Sequence, residues 1–140
     1  MKKCTAVMVF NSAGEMALQK RAADDDRYPS RWDFAAGGHL DADESVEEGA
    51  KRELKEEIGI ECPLEFVTLM HHPGGADVDD EPDELSIFKT TYDGPFAPDP
   101  KEVAEVRFFP IEKIKEMAAK EPQALHPELA FFLTRHSKRL

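Results

Sequence analysis

The most constraining feature of this 140-residue sequence is the segment Asp43–Ile58, in which apolar residues recur every four positions. Ala50, Leu54 and Ile58 fall on one side of a helix with this spacing. Asp43 is a residue type that caps helix N-termini. Gly59 is the type that ends helices in the left-handed conformation. The sequence therefore predicts a helix over 43–58, begun by Asp43 and ended by Gly59.

The opposite face of this predicted helix concentrates negative charge. Glu53, Glu56 and Glu57 stand at positions i, i+3 and i+4, so they project from one face. Like charges at this spacing repel by several tenths of a kcal/mol per pair. A divalent cation among the three carboxylates would remove that repulsion, and carboxylate oxygens are ligands that Mg²⁺ and Mn²⁺ prefer. Arg52 can hold one carboxylate in a fixed orientation.

Composition narrows the possible partners and the compartment. The formal net charge is −11, from 18 Lys and Arg against 29 Asp and Glu, which argues against nucleic acids and anionic membranes as partners. The longest apolar runs are far short of a membrane span, and no secretory signal is evident. Two cysteines, Cys4 and Cys62, suit neither a disulfide framework nor a thiolate zinc site. These features predict one cytoplasmic domain over residues 1–140.

The rest of the chain predicts strands and two further helices. The loops are rich in Pro, Gly and Asp, over Ala22–Ser30, His72–Asp83 and Asp93–Pro100. The order of elements implies an α/β fold, with a mixed sheet that carries helices on its faces. The predicted strands are Thr5–Phe10, Glu15–Arg21, Trp32–Ala36, Leu64–His71, Leu85–Tyr92 and Val103–Pro110, and the predicted helices are Ile111–Lys120 and Glu128–Arg139.

The segment Gly38–Ile60 carries a longer motif. In words it is Gly, five residues, Glu, seven residues, Arg-Glu, an aliphatic residue, any residue, Glu-Glu, any residue, Gly and an aliphatic residue. This motif resembles the Nudix box of the Nudix hydrolases, with a looser resemblance from about Ala6 to Phe109. The specified positions are all filled, by Gly38, Glu44, Arg52, Glu53, Leu54, Glu56, Glu57, Gly59 and Ile60.

The resemblance implies an α/β/α sandwich and the hydrolysis of a nucleoside diphosphate linked to a moiety X, a small-molecule pyrophosphate. It implies that Glu56 and Glu57 bind Mg²⁺ or Mn²⁺, that Glu53 is a ligand or the general base, and that the carbonyl of Gly38 adds a ligand. Glu44 would support the site, and Arg52 would orient Glu53. Homodimers are common among such proteins, so a homodimer is one alternative for an oligomeric state that the sequence does not determine.

Within that family, the wider sequence is similar to the isopentenyl-diphosphate isomerase branch. The similarity lies in Gln19-Lys20-Arg21, Tyr28 to Asp33, Gly37-Gly38-His39 and Tyr92 to Pro95. The isomerases carry a catalytic cysteine where this chain has Gly37, and a second carboxylate where it has Pro100. The resemblance therefore favours hydrolysis over isomerisation. A catalytically silent module that senses a nucleotide is a third reading.

A few candidates lie outside the helix. Glu102 begins a strand beside the expected site and is a candidate catalytic or metal-binding residue. Arg21 and His39 are candidate phosphate contacts, with a surface salt bridge and a solvated loop as their alternatives. Trp32 and Phe34 are expected in the core, and the acidic run Asp77–Glu84 in a solvated loop. The loops 22–31 and 72–83 are expected to select X.

Overall fold

The computed structural model describes residues 2–74 and 81–140. Within them, the chain forms strands β1 to β7 and helices α1 to α3. The strands are β1 (Lys2–Phe10), β2 (Met16–Arg21), β3 (Trp32–Asp33), β4 (Ala36–His39), β5 (Glu65–His72), β6 (Asp83–Thr91) and β7 (Val103–Phe109). The helices are α1 (Val46–Ile58), α2 (Ile111–Lys120) and α3 (Pro127–Arg135), with single 3₁₀ turns at Pro122–Ala124 and Ser137–Arg139.

The sheet is mixed, as the sequence predicts. Its main path runs β3-β2-β1-β6-β5, with β4 paired to β1 and β7 paired to β2. β1 and β6 are parallel, whereas the other pairs are antiparallel. Residues Cys4 to Val7 of β1 pair with β4 on one edge and with β6 on the other. The turn into α1 therefore starts beside the centre of the sheet.

Two apolar layers cover the two faces of the sheet, which confirms the α/β/α sandwich. β1 supplies both layers, because its side chains alternate between the faces. Met8 packs with Ile114 and Phe132 of α2 and α3, while Val7 packs with Leu54 of α1. All of these side chains are fully buried. None of the helices in the described residues is long and apolar enough to cross a membrane.

Some predicted boundaries are wrong. The strand predicted over Trp32–Ala36 is two short strands, because Phe34 and Ala35 lie between the residues that pair with β2 and those that pair with β1. The helix predicted over Glu128–Arg139 ends at Arg135 and continues only as a 3₁₀ turn. Of the predicted core aromatics, Phe34 is buried, and half-buried Trp32 packs edge-on against Phe109.

The acidic run predicted as a solvated loop also needs correction. Its residues 77–80 lie outside the described residues, as does half of the loop 72–83 that is expected to help select X. Asp83 is described, and it is buried rather than solvated. It opens β6, pairs with Lys2 of β1 and is only 5% exposed.

Candidate active site

The start of α1 is fixed by Ser45 rather than by Asp43. The Ser45 hydroxyl accepts a hydrogen bond from the Glu48 backbone N–H, and the Glu48 carboxylate accepts one from the Ser45 backbone N–H. This reciprocal pair is a capping box. Asp43 instead has a left-handed φ of 63° two residues earlier. At the other end, Gly59 has φ 72° and closes the helix as predicted.

Arg52 links the acidic residues of the predicted motif. Its guanidinium donates to both carboxylate oxygens of Glu44, from Nε at 2.8 Å and from Nη2 at 3.1 Å. Nη1 donates to Glu53 at 2.9 Å and to Glu56 at 3.1 Å, and Nη2 also reaches the carbonyl of His39. These contacts raise the pKa of Arg52 and lower that of Glu44. The guanidinium thus contacts Glu53 directly, and its role in orienting that carboxylate stays a prediction.

The carboxylate of Glu53 lies directly against Gly38. A Cβ atom at position 38 would come within 2.7 Å of Glu53 Oε1 and 2.9 Å of its Cδ. Any side chain there would displace the carboxylate, so the glycine is required by this close approach. Residues 38 and 53 are thereby brought together, although they are fifteen positions apart in the chain.

Glu57 is buried, although helical spacing places it on the same face as the exposed Glu56. It is 7% exposed. Its Oε1 accepts hydrogen bonds from Gln19 Nε2 at 2.6 Å and from the Gly37 backbone N–H at 3.3 Å. Burial raises its pKa well above the usual range, and a hydrogen bond with the carboxyl of Glu53, together with the charge of that group, adds to the rise. The raised pKa favours the protonated form of Glu57 beside the Glu53 carboxyl group.

Glu53 and Glu57 fit a bound divalent cation, which would offset the repulsion between the two carboxyl groups. Glu56 is 58% exposed at its side chain and is turned toward Arg52. In residues 2–74 and 81–140, no three Asp, Glu, His or Cys side chains are already arranged around one metal position. Glu56 would have to exchange its contact with Arg52 for the metal. The donor set is thus chemically suited to Mg²⁺ or Mn²⁺ through hard oxygen atoms.

Several predicted site residues line one cleft of about 440 Å³. Glu44, Arg52 and Glu56 do not line it; Arg52 contacts the lining residues His39 and Glu53, and it also binds Glu44 and Glu56. The predicted residues in the lining are Arg21, Gly38, His39, Glu53, Glu57 and Glu102. The fold thus assembles β1, β2, β4, α1 and the start of β7 around one opening.

Glu102 lies at the rim of the cleft, at the turn before β7. Its backbone carbonyl accepts a hydrogen bond from Ala22, which ties this turn to the end of β2. Partial burial raises its pKa, with further contributions from the negative charges of Asp99 and Glu53. It lines the same cleft as Glu53 and Glu57, and its catalytic or metal-binding role stays a prediction.

Arg21 and His39 both line the cleft, but their side chains have different contacts. Arg21 forms salt bridges with Asp25 at 3.1 Å and Asp33 at 3.3 Å. The salt-bridge alternative therefore describes the geometry seen, and a phosphate contact by Arg21 stays a prediction. His39 is exposed, and its Nδ1 lies 3.6 Å from Cys4 Sγ.

Sequence reasoning missed Gln19 as a site residue, although it belongs to the segment that carries the wider resemblance. Gln19 is 6% exposed and also donates to the Ala35 carbonyl at 3.0 Å. Its partner Glu57 is 38 positions away, so periodicity could not reveal the contact. The available signal is a glutamine that follows apolar residues in a predicted strand, because a polar side chain that becomes buried there needs hydrogen-bond partners.

Comparison with known proteins identifies relatives of this chain. The NUDIX domain family matches residues 2–129. An uncharacterized Nudix hydrolase of Pseudomonas aeruginosa is 36% identical over 121 residues, covering 84% of this chain and 68% of that protein. An isopentenyl-diphosphate Delta-isomerase of Nocardia farcinica is 34% identical over 134 residues, covering 93% and 75%. The crystal structure of a MutT protein from Methanosarcina mazei superposes with a TM-score of 0.81 at 22% identity, covering 98% of this chain and 93% of that one.

Proposed function

The chain belongs to the Nudix family, and we propose that it is a metal-dependent hydrolase of a pyrophosphate bond in a nucleoside diphosphate linked to another group, X. The observation that carries this proposal is the contact between the carboxyl groups of Glu53 and Glu57 in the wall of a polar cleft. Two carboxyl groups held together in a buried place need a cation or a shared proton. A cation there would lie where a diphosphate can enter.

Nudix hydrolases generally need divalent metal ions, typically Mg²⁺. Held by Glu53, Glu56, Glu57 and the Gly38 carbonyl, Mg²⁺ or Mn²⁺ would neutralise phosphate charge and lower the pKa of an attacking water. The chain's own contribution is then mostly positioning and charge stabilisation.

Two side chains, together with the Gly37 N–H, orient the carboxylates in this proposal. Arg52 holds Glu53 from one side, while its other donors are anchored on both oxygens of Glu44. Gln19 and the Gly37 N–H both donate to the Oε1 of Glu57 and hold it in place. Such outer contacts fix the geometry of ligands before the metal binds.

Glu102 is the proposed proton acceptor. It lies at the rim of the same cleft, and its raised pKa brings it closer to the working pH of a general base. Glu53 is the alternative base, but its carboxylate already contacts Arg52 and Glu57. Within residues 2–74 and 81–140, the Glu102 carboxylate forms no ion pair or side-chain hydrogen bond that would have to break.

Isomerisation of an allylic diphosphate is the second candidate, because an isomerase is among the relatives. The backbone at Gly37 opposes it. A Cβ atom at position 37 would lie 2.5 Å from the Thr5 carbonyl oxygen and 3.2 Å from the Ala6 Cα. The position where the resemblance expects the isomerase cysteine therefore has no room for a side chain in this chain. A silent sensor is also disfavoured, since every motif carboxylate is present.

The test is an assay of the purified protein with Mg²⁺ or Mn²⁺ against nucleoside triphosphates, dinucleotides, nucleotide sugars and isoprenoid diphosphates. We expect one class to be cleaved into two phosphate-bearing products identified by mass, with no activity in EDTA. Glu57→Gln should reduce the rate by at least about 100-fold, because it removes a ligand charge at the cleft.

The matched control is Glu47→Gln. Glu47 lies on the same helix, is 54% exposed at its side chain and forms an ion pair with Lys51 at 3.8 Å. This variant should keep the wild-type rate. Metal-independent turnover, or full activity of Glu57→Gln, would overturn the metal assignment. Interconversion of isopentenyl and dimethylallyl diphosphates without hydrolysis would favour the isomerase.

A further inference from the structure

The cleft extends beyond the carboxylates to a second polar region, on β1 and β6. Gly38, which touches Glu53, pairs with Thr5 across β4 and β1. The residue of β1 that precedes Thr5 is Cys4, whose Sγ lies 4.0 Å from Asp83 Oδ2. All of these residues line the cleft. The lining is therefore continuous from the proposed catalytic carboxylates to Asp83.

Asp83 carries an unsatisfied buried oxygen. The residue is 5% exposed, and its Oδ1 accepts no hydrogen bond. Its Oδ2 has only the long contact with the Cys4 thiol, a weak donor. Lys2 is its cross-strand neighbour and lines the cleft, but no salt bridge joins the two among the described residues. Buried carboxylates normally have full partners, so an open oxygen needs an explanation.

Among the described residues, the buried side-chain oxygens that lack a hydrogen bond all belong to residues that line this cleft. Three buried side-chain oxygens there accept no hydrogen bond, and they belong to Thr5, Asp83 and Glu128, all lining residues. Glu128 has other contacts, including His126 at 3.8 Å, so the argument rests on Asp83 and Thr5. By contrast, the buried amide of Gln19 and the buried Glu57 are satisfied within the chain.

Resting on the proposed function, we propose that Asp83 recognises one of the two groups joined by the diphosphate, the nucleoside or X, and that this group presents hydroxyl or amino donors rather than a hydrocarbon chain. A carboxylate oxygen accepts but cannot donate, so the group it binds must carry N–H or O–H. Thr5 adds a hydroxyl that can accept or donate. Leu85 and Phe34 of the same lining supply apolar contact beside these atoms. A hydrocarbon group there would leave Asp83 buried and unpaired, which disfavours it.

The nucleobase and the ribose of a nucleoside both offer such donors. The binding test therefore uses a Glu53→Gln background, which cannot turn over, with adenosine, cytidine and their 2′,3′-dideoxy forms as probes. Saturable binding by calorimetry is expected and should weaken about tenfold or more in Asp83→Asn, as for a lost hydrogen bond to a charged group. If Asp83→Asn weakens the binding of the dideoxy forms as much as that of the ribosides, the group bound by Asp83 is the base. If the dideoxy forms do not bind at all, the group bound by Asp83 is the ribose with its hydroxyls.

A stability measurement separates recognition from a structural role. Because the free protein buries an unpaired acceptor at Asp83, Asp83→Asn should unfold at the same or a higher temperature than the wild type. A structural Asp83 would make the variant less stable. Glu84→Gln is the matched control, since Glu84 is the next residue of β6 and lies outside the cleft lining. It should leave nucleoside binding unchanged.

The turnover arm compares ADP-ribose with dimethylallyl diphosphate in the otherwise wild-type protein. Asp83→Asn should lower kcat/KM for ADP-ribose about tenfold or more and leave that for the hydrocarbon substrate unchanged. Nucleoside affinity that is unchanged in Asp83→Asn overturns this proposal, and so does a lower unfolding temperature of that variant. The hydrolase proposal stands in either case. Asp83-dependent binding without any hydrolysis keeps the recognition site and overturns the hydrolase instead.

Discussion

The side-chain amide of Gln19 donates a 2.6 Å hydrogen bond to Glu57 Oε1, joining β2 to α1 behind the cleft. Both residues are buried, so neither can exchange this bond for water. The Gly37 N–H shares the same oxygen at 3.3 Å. The orientation of one carboxylate of the helix is thus set by a strand that carries no part of the helical motif.

Replacing Gln19 by Met should weaken activity without changing the fold. Methionine has a similar length but cannot donate, so Glu57 would lose its shortest hydrogen bond and its fixed position. Outer contacts of this kind are worth about 10- to 100-fold in metal affinity or activity. Initial rates titrated with Mg²⁺ should show a higher metal requirement, a lower maximal rate, or both.

The control for that titration is Gln123→Met, in the exposed 3₁₀ turn after α2. It should match the wild type at every Mg²⁺ concentration. An unchanged Mg²⁺ dependence in Gln19→Met, with circular dichroism also unchanged, would show that Gln19 is only a packing residue.

Introducing a cysteine at Gly37 should destabilise the protein and should not create an isomerase. The Cβ atom would overlap the Thr5 carbonyl oxygen at 2.5 Å, and this backbone cannot move without disturbing the pairing of β1 with β4. Overpacking of this kind costs about 1–3 kcal/mol. Urea unfolding gives that free energy, and NMR of isopentenyl diphosphate reports isomerisation.

Ala13→Cys adds a cysteine in the exposed turn between β1 and β2 and serves as the control for stability. It should unfold like the wild type. A Gly37→Cys variant that unfolds like the wild type and converts isopentenyl diphosphate would instead place this chain with the isomerases.

The sequence predicts α1 well because its local signals agree. Leu54 and Ile58 keep the helical spacing, and Gly59 provides the left-handed end. The capping residue was wrong because Asp43 and Ser45 are both good caps, and only the reciprocal bond with Glu48 distinguishes them.

The depth of each site residue was much less predictable. Helical spacing places Glu56 and Glu57 on one face, but the structure exposes Glu56 and buries Glu57. The difference arises from Gln19 and Gly37, whose approach depends on the pairing of β1 with β2 and β4. Asp83 was assigned to a solvated loop because its neighbours are acidic, whereas pairing with Lys2 of β1 buries it. Long-range pairing of this kind leaves no local pattern.

Removal of the Ser45 cap should lower stability and leave the active site intact. Ser45→Ala loses the bond to the Glu48 N–H and should cost about 1 kcal/mol. The rest of α1 is held by buried residues such as Ala50 and Leu54, so turnover at 25 °C should stay close to wild type. The shift in free energy is measured by urea unfolding.

Asp43→Asn tests the alternative cap. Asparagine tolerates the left-handed φ of 63° seen at this position, so this variant should unfold like the wild type. A loss of stability in Asp43→Asn but not in Ser45→Ala would contradict the assignment of the cap.

The pH profile should identify Glu102 as the proton acceptor. Its pKa is raised by partial burial and by nearby negative charge, with Asp99 the largest charged contributor. A base must be ionised, so kcat should fall as the pH drops through this raised pKa. Asp99→Asn removes the nearby charge, lowers the pKa of Glu102 and should move the acidic limb of the profile to lower pH. Glu102→Gln should lose about 100-fold or more in kcat. The control is Glu105→Gln, since Glu105 lies on β7 and pairs with Arg107; this variant should leave the acidic limb of the pH profile in place. If Asp99→Asn does not move the acidic limb, that limb belongs to a group other than Glu102.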